Sequence, residues 1–447
     1  MIFKHKKESL FLFLGDCLIF YFSLYLALTL RYFALPSNEL ISNHIIPFSI
    51  LSAVWLLTFF ITGLYEKHTL LLKTRLPSAI LNAQIGNTFL AVLFFYFIPY
   101  FKIAPKTILF VYLVISFGLI LAWRLYGVRA LSPTTKQKGI IIGQGDELRE
   151  LIEEVNHNSR YGLEFVSSID IDEIEAVDFQ NEIVSRVYAE EIQIIAIDLN
   201  NPKVEPILPH LYNLIFSKVK FIDMYKIYED IFDRVPLSLV KYNWFLENIS
   251  TDAHTAYDTM KRIMDIVISL PLAVLSLIFY PFVYLAIKIE DGGPLFITQE
   301  RVGKNGTLVR MHKFRSMSRN ELDPTKSNDN KVTKVGSIIR KLRIDEYPQF
   351  WDVVRGSFSL IGPRSELPSA VKRYEEEVPY YSVRHLIKPG LSGWAQLYGE
   401  HAHHVADLSK TKNKLSYDLY YIKNRSLMLD LKIALKTLKV LLSRSGV

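Results

Sequence analysis

The chain has 447 residues, of which 50% are hydrophobic, and its mean hydropathy is +0.18. This length predicts about two to four domains, and the composition is too apolar for an ordinary soluble protein. The formal charge of +7 suits an anionic lipid surface or a phosphorylated substrate. No zinc or RNA-binding signature accompanies that charge, so we expect no nucleic acid partner. The single cysteine, Cys17, excludes an internal disulfide and any cysteine-based metal site.

Four long apolar segments open the sequence, each close to the roughly 20 residues that a helix needs to cross a bilayer. They cover residues 9–30, 45–65, 76–101 and 107–126, and they predict a four-helix transmembrane domain over residues 1–130. The first segment lacks a small-x-small cleavage site, so we expect it to remain in the mature protein. Asp16 is the one acid inside these segments. We expect Asp16 to make a buried polar contact or an interface rather than to serve transport.

The distribution of lysine and arginine predicts the orientation of these helices. Basic residues concentrate at the N-terminus, in the second loop and after the fourth helix: Lys4, Lys6, Lys7, Lys67, Lys73, Arg75, Arg124, Arg129, Lys136 and Lys138. The first and third loops carry only Arg31, Lys102 and Lys106. We therefore expect both ends of the bundle on the cytoplasmic side.

Residues 138–146, KGIIIGQGD, are typical of the start of a Rossmann-type unit. A β-branched run leads into Gly143-x-Gly145 and then a helical pattern, although Leu148 replaces the third glycine. Further strands at 165–169 and 192–198 complete a small Rossmann-like α/β domain over residues 131–225. Two glycines are a weak signal, so we expect no bound dinucleotide. Asp170-x-Asp172 matches the metal motif of nucleotide-sugar glycosyltransferases, but such short matches are common in acidic loops.

Residues 226–259 are predicted to form a linker with aromatic anchors, followed by an uncharged run within residues 262–288. That run is long enough for a straight fifth span, which would place the rest of the chain outside the cell. Both of its flanks are basic, and Pro271 and Pro281 interrupt helical hydrogen bonding. We favour a re-entrant helix that bends and returns to the cytoplasmic side.

The remaining domain, residues 260–447, is predicted to be mainly α-helical. Strands are expected at 295–299 and 308–312, and helices at 335–343, 349–354 and 415–442. A loop with His401, His403 and His404 is interpreted as solvated rather than metal-binding.

An acidic pair, Asp345-Glu346, lies among basic and aromatic residues between positions 340 and 364. One interpretation makes Asp345 the N-cap of an ordinary helix, with Glu346 in its first turn. The other makes the pair a catalytic site that acts on a phosphate with Mg²⁺. The two are compatible, because a helix N-terminus is itself an anion site.

Several motifs after residue 260 support the catalytic interpretation. They are Lys261-Arg262-x-x-Asp265, Gln299-Glu300-Arg301-Val302-Gly303, Lys313-Phe314-Arg315-Ser316-Met317, Arg340-Lys341-x-x-x-Asp345-Glu346-x-Pro348-Gln349, Gly362-Pro363-Arg364 and Lys388-Pro389-Gly390-Leu391-x-Gly393-Trp394-x-Gln396. Together they resemble the motifs of the bacterial sugar transferase family, the monotopic phosphoglycosyl transferases. These enzymes move a sugar 1-phosphate from a nucleotide sugar to polyprenyl phosphate. The upstream domains resemble the large subgroup that serves exopolysaccharide, capsule and O-antigen synthesis.

The resemblance implies that Asp345 is the nucleophile, that Glu346 helps to hold Mg²⁺ and that Arg364 contacts the nucleotide or its phosphates. Further substrate-binding residues are expected among the basic motif positions Lys261, Arg262, Arg301, Lys313, Arg315 and Arg340. The implied partners are a UDP-sugar, polyprenyl (undecaprenyl) phosphate and the lipid bilayer of the bacterial inner membrane. The four-helix bundle is assigned to anchoring or to a homo-oligomer.

Three positions depart from the family pattern. The usual Ser-Pro at the helix break is Leu270-Pro271 or Tyr280-Pro281, which leaves the position of the kink open. Ser365 stands where Pro-Arg-Pro has its second proline, and Asp352 replaces the usual asparagine, with an expected effect on nucleotide contacts.

The predicted chemistry is a covalent, ping-pong transfer that releases UMP. An aspartate is ionised at neutral pH, and we expect nearby cations to lower the pKa of Asp345 further, so that no general base is needed. Two alternatives are a membrane-anchored scaffold or ligand sensor and a glycosyltransferase that moves only the sugar and releases UDP. The sequence does not identify the hexose.

Overall fold

The computed structural model divides into two compact units, Met1–Asp230 with Leu438–Val447, and Ile231–Thr437. The structure describes residues 5–65, 76–98, 106–127, 136–158, 161–170, 183–198, 201–217, 219–249, 255–317, 332–399 and 408–443. The three histidines at 401–404, Asp172 and the basic residues of the second loop lie outside these ranges.

The first unit begins with four apolar helices: α1 His5–Tyr32, α2 Asn38–Ile61, α3 Leu76–Phe97 and α4 Lys106–Ala122, the last extended by a π-helical turn at Trp123–Gly127. All four are long and apolar enough to cross a membrane. Their buried aromatic core includes Trp55, whose ring centroid lies 5.5 Å from that of Phe20 and 5.2 Å from that of Tyr112. The predicted four-helix transmembrane bundle is confirmed, and the chain is a membrane protein.

Asp16 makes a buried polar contact inside this bundle, as predicted. It accepts a hydrogen bond from the Tyr65 hydroxyl at 2.7 Å and forms an ion pair with Arg124, which also donates to the Leu64 carbonyl at 2.6 Å. Both charged side chains are fully buried. Arg124 lies in the turn that ends the fourth span and is buried in the bundle, so the prediction that it is a loop charge is wrong.

A four-stranded parallel sheet follows, in the order β2-β1-β3-β4. Its elements are β1 Gln137–Gly143, α5 Asp146–His157, β2 Leu163–Asp170, α6 Ser185–Ala189, β3 Ile194–Ile197, α7 Leu208–Leu214, β4 Lys220–Asp223 and α8 Met224–Phe232. Gly145 takes φ +104° in the turn between β1 and α5, a conformation that needs glycine. Asp146 and Glu147 occupy the first turn of α5, where a Rossmann fold binds pyrophosphate. Their negative charges disfavour a dinucleotide there.

The second unit is mainly helical, as predicted. Its helices are α9 Tyr242–Asn248, α10 Thr255–Ser276, α11 Phe279–Glu290, α12 Lys334–Lys341, α13 Gln349–Arg355, α14 Pro368–Glu377, α15 Trp394–Tyr398, α16 Leu408–Asn424 and the start of α17 Leu427–Ser443. Strands β5 Phe296–Val302 and β6 Leu308–Phe314 form an antiparallel hairpin, and β7 Ser359–Ile361 pairs in parallel with β8 Gly390–Ser392. The helical tail is broken between α16 and α17, where the Ser426 hydroxyl accepts from the Leu429 amide at 3.3 Å.

Helices α10 and α11 form a bent apolar pair, with an angle of 49° at the break. The break lies at residues 277–278, just before Tyr280-Pro281, whereas Pro271 lies inside α10 without interrupting it. Pro281 has no amide hydrogen for the Leu277 carbonyl, which instead accepts from the Tyr280 amide at 3.2 Å in a tighter turn. The kink is therefore located by the second proline. The re-entrant path through the membrane stays a prediction.

Candidate active site

Asp345 lies in a short 3₁₀ turn, Ile344–Glu346, that separates α12 from α13. Arg343 begins this turn in the left-handed region at φ +53°, a conformation that costs a non-glycine residue on the order of 1 kcal/mol or more. Helix α13 starts only at Gln349, and Pro348 is its N-cap. The interpretation of Asp345 as a helix N-cap is therefore wrong, because the 3₁₀ turn moves the helix start beyond the acidic pair.

The pKa of Asp345 is raised, mainly by burial and next by the neighbouring Glu346 carboxylate. Lys313 and Arg340 act in the opposite direction but do not outweigh burial. Our expectation of a lowered pKa is therefore wrong, since Asp345 is only 9% exposed. The charges of Lys313 and Arg340 therefore offset part of the effect of burial on this carboxylate.

Glu346 is the more exposed member of the pair and stands at the edge of a pocket. Lys313 on β6 places its Nζ 3.6 Å from Glu346 Oε1. Arg340, in the last turn of α12, donates from Nε to the Ser316 hydroxyl at 2.7 Å. These two cations approach the acidic pair from a strand and a helix that meet at the 3₁₀ turn.

The pocket has a volume of about 300 Å³, including its open mouth. It brings together four of the predicted site residues: Arg301, Lys313, Glu346 and Arg364. The rest of its lining is Met311, Gln349, Ser365, Gly390, Leu391 and Gln396. One carboxylate beside three cations is an arrangement suited to an anionic ligand.

Gly362 and Gly390 lie where strands β7 and β8 pack against each other beside the pocket. A Cβ on Gly390 would lie 2.1 Å from the Gly362 amide nitrogen, and one on Gly362 would lie 2.6 Å from the Lys388 carbonyl oxygen. No side chain fits at either position. The glycines in the Gly-Pro-Arg and Lys-Pro-Gly motifs therefore allow β7 and β8 to approach closely, which carries Arg364 to the pocket.

The backbone of Arg364 is held by a buried ion pair that the sequence analysis missed. Arg384 Nη2 donates to the Arg364 carbonyl at 3.0 Å and lies 2.8 Å from Asp418 Oδ2. Both charged side chains are at most 5% exposed. A carboxylate and a guanidinium that are 34 residues apart in the chain (418 minus 384) give no local signal of pairing.

The neighbouring His385 makes the stability of this unit depend on pH. Burial and the Arg384 charge lower the pKa of His385 to about 4, from an ordinary 6.5. The folded state therefore excludes a proton that the unfolded chain binds, so stability is full above pH 6.5 and is lost as the pH falls towards 4. We expect a loss of about 2–3 kcal/mol over this range, measured by denaturant unfolding at each pH. His385→Phe should remove this part of the slope, and a slope unchanged in that variant would contradict the assignment.

Lys261 lies away from the pocket lining and joins α10 to the C-terminal helices. Its Nζ is 2.8 Å from Asp430 Oδ2, and Asp430 also accepts from the hydroxyls of Tyr257 at 2.8 Å and Tyr421 at 2.6 Å. Asp430 is fully buried, so the network satisfies a charge that is costly to leave alone. This geometry favours a structural role for Lys261.

Arg262 fastens α10 to the helix that follows the acidic pair. It donates from Nη1 to the Val353 carbonyl at 2.7 Å and from Nη2 to the Val354 carbonyl at 2.6 Å. These are carbonyls of the last turn of α13, where the helix dipole favours a cation. Arg262 thus holds α13 against the bent apolar pair α10 and α11. It thereby also helps to position the acidic pair Asp345-Glu346.

Arg315 and Asp352 also make internal contacts. Arg315 forms an ion pair with Asp291 and donates from Nε to the Met317 carbonyl at 3.0 Å. Asp352 accepts from the backbone amide of His312 at 2.9 Å, and its other oxygen is 2.7 Å from His312 Nδ1. Asp352 is 1% exposed and faces β6 rather than the pocket. Its departure from the family pattern therefore acts on the strand that carries Lys313.

Comparison with known proteins matches this unit to one family. The model of the family described as bacterial sugar transferase matches residues 256–444. A UDP-N-acetylgalactosamine-undecaprenyl-phosphate N-acetylgalactosaminephosphotransferase from Aeromonas hydrophila is 44% identical over 200 residues, which is 42% of this chain and 45% of that protein. A UDP-glucose:undecaprenyl-phosphate glucose-1-phosphate transferase from Escherichia coli K12 is 35% identical over 182 residues, or 40% and 39% of the two chains.

A shorter relative is matched over almost its whole length. The exopolysaccharide production protein PSS of Rhizobium leguminosarum is 35% identical over 193 residues, which is 41% of this chain and 96% of that protein. The first two relatives are matched over less than half of their own length. The similarity therefore covers the unit that holds the acidic pair and its pocket. The chain belongs to the bacterial sugar transferase family.

Proposed function

We propose that the chain transfers a sugar 1-phosphate from a UDP-sugar to polyprenyl (undecaprenyl) phosphate, and that the products are polyprenyl diphosphate sugar and UMP. The observation that carries this proposal is the buried Asp345 next in the chain to Glu346, which lines one pocket together with Arg301, Lys313 and Arg364. The names of the Aeromonas and Escherichia relatives describe the same class of transfer. The reaction would be the first membrane step in making an exopolysaccharide, a capsule or an O-antigen.

The first half-reaction needs positive charge, because the donor diphosphate repels an anionic nucleophile. Arg301, Lys313 and Arg364 would neutralise the diphosphate and orient it for in-line attack. An Asp345 oxygen then bonds to the phosphorus that bears the sugar. The bond from that phosphorus to the bridging oxygen breaks, and UMP leaves with this oxygen and the bonding electrons. The product is an aspartyl phosphosugar.

The second half-reaction restores the enzyme. An oxygen of polyprenyl phosphate attacks the same phosphorus, and the bond to the Asp345 oxygen breaks, returning its electrons to the carboxylate. The acceptor phosphate lies at headgroup depth because its tail stays in the bilayer. Arg262, which ties α13 to the apolar helix α10, would hold the nucleophile at that depth.

The acidic pair fits a Mg²⁺ ion. Mg²⁺ in phosphate-transfer sites commonly takes only one or two protein carboxylates, with phosphate oxygens and water as its other ligands. Glu346 is the partly exposed carboxylate at the pocket edge and would be the protein ligand. Among the residues that the structure describes, no group of three or more histidine, cysteine or acidic side chains is placed so that it could hold a metal ion. When bound, the ion supplies positive charge to the diphosphate.

We place the protein in the bacterial inner membrane, with the catalytic unit on the cytoplasmic face where UDP-sugars are made. The basic N-terminus and the basic segment after the fourth helix support this orientation. Large apolar side chains on the bent pair are exposed, as expected for lipid contact: Val267, Leu275, Ile278, Phe282 and Ile289. A re-entrant pair keeps the site and both substrates on one side of the membrane.

The test of this function is the identity of the nucleotide product. Purified full-length protein in lipid nanodiscs, given Mg²⁺, polyprenyl phosphate and a panel of UDP-sugars, should release UMP from at least one donor. Sustained turnover should require polyprenyl phosphate. Release of UDP in place of UMP would identify a sugar-only glycosyltransferase, and no nucleotide release from any donor would favour the scaffold or sensor.

A further inference from the structure

The pocket beside the acidic pair contains polar groups that the proposed phosphate chemistry does not use. Gln349 Nε2, the Ser365 hydroxyl and Gln396 Oε1 are buried and have no hydrogen-bond partner among the described residues. All three side chains line the pocket. Gln349 is 4% exposed and Ser365 is 3% exposed, so bulk water is largely excluded from both side chains. Buried polar groups are normally paired, and three unpaired groups in one pocket indicate a polar ligand.

These groups differ in chemistry from the rest of the pocket. Arg301, Lys313 and Arg364 offer charge, whereas the two glutamines and the serine offer neutral donors and acceptors. Met311 and Leu391 add an apolar surface. Neutral amides and hydroxyls beside apolar groups are suited to an uncharged ligand that is rich in hydroxyl or amide groups, and the cations are suited to its phosphate.

We propose that Gln349, Ser365 and Gln396 form the subsite that binds the transferred sugar and selects it by its hydroxyl or acylamino groups. This inference rests on the proposed function. Only one oxygen atom joins the sugar to the phosphorus that Asp345 attacks, so the sugar must lie next to the acidic pair. Gln349 follows Glu346 by three residues, and both line the same pocket. The pocket is small and open to solvent, so it would take the reacting end of the donor rather than all of it.

Ser365 is the part of this subsite that distinguishes the chain from the family pattern. A proline at this position has no hydroxyl, whereas the Ser365 hydroxyl is buried, unpaired and at the pocket wall. Its neighbour Arg364 faces the donor phosphates in the proposed reaction. Arg364 would therefore bind the phosphate, and Ser365 would bind the sugar.

The experiment compares donors that differ by one group on the sugar. UMP release is measured for the preferred UDP-sugar, for analogues that each lack one sugar hydroxyl or the acyl group, and for the same sugar on a different nucleoside diphosphate. Ser365→Ala and Gln349→Met remove a hydrogen-bonding group with little change in volume. For the preferred donor we expect each to lower kcat/KM by about tenfold or more. For the analogue that lacks the contacted group, the same substitution should have almost no effect.

A matched control is Ser416→Ala, since the Ser416 hydroxyl is also buried but bonds to the Val235 carbonyl, away from the pocket. It should leave the ratios between sugars unchanged. An equal loss for all sugars in Ser365→Ala and Gln349→Met would overturn the subsite. The subsite would also be overturned if the variants changed the preference between nucleosides but left the preference between sugars unchanged. If the unmodified protein releases no UMP from any donor, the proposed function itself fails, and this is seen before any variant is compared.

Discussion

Asp345→Asn is expected to lower UMP release by at least about a thousandfold, because the variant lacks the anionic carboxylate. That carboxylate is the nucleophile of the first half-reaction and the leaving group of the second. The asparagine amide has nearly the shape of the carboxylate and is easier to bury without its charge. The raised pKa of Asp345 shows that burial penalises the ionised form, so the variant should fold at least as stably. Initial rates of UMP release and thermal unfolding of the same preparations measure the two effects.

Asp352→Asn is the matched control for this substitution. Asp352 is also a buried aspartate of this segment, but both of its oxygens bond to His312 on β6. An asparagine can keep the bond from the His312 amide, and the family pattern has asparagine there. We expect turnover within a fewfold of the unmodified protein. Turnover by Asp345→Asn at the level of Asp352→Asn would remove Asp345 from the mechanism.

Asp16→Ala is expected to cost about 3–5 kcal/mol of stability, because it leaves Arg124 charged and unpaired in the transmembrane bundle. The double variant Asp16→Ala with Arg124→Met should recover most of that loss, since no charge is then buried. Unfolding in mixed micelles with increasing denaturing detergent compares the three proteins. Ser23→Ala, which alters another fully buried polar side chain of the same helix, controls for a general loss of packing. A single variant as stable as the unmodified protein would contradict a structural role for the pair.

The sequence predicted those parts of the fold that depend on local patterns. Long apolar runs identified the four spanning helices, and a β-branched run before Gly143 and Gly145 identified the first strand and helix of the parallel sheet. The bend between α10 and α11 was predicted, but two prolines competed for it. Pro281 lies in the first turn after the break, where it cannot donate a hydrogen bond to the Leu277 carbonyl.

The site was predicted less completely, because its assembly depends on contacts between distant residues. Arg301, Lys313, Glu346 and Arg364 meet at one pocket, as a shared role in phosphate binding requires. Lys261 and Arg262, by contrast, find their partners 169 and 91 residues along the chain, at Asp430 and Val353. A basic residue in a motif gives no sign of whether it faces a substrate or a helix end.

Burial explains both the wrong pKa and the missed polar subsite. Cations near Asp345 in the sequence suggested a lowered pKa, but its burial in the 3₁₀ turn has the larger effect. Gln349 and Gln396 were visible in the motifs, and Ser365 was visible as a departure from them. Only the fold shows that their polar atoms are buried and unpaired in one pocket.

The mass of the intact protein after exposure to the donor tests the central claim most directly. With UDP-sugar and Mg²⁺ but no polyprenyl phosphate, the protein should gain the mass of one sugar phosphate, on the peptide that contains Asp345. The added mass should disappear when polyprenyl phosphate is supplied. A preparation that turns over but never shows this adduct, at any time before the acceptor is added, would contradict transfer through Asp345.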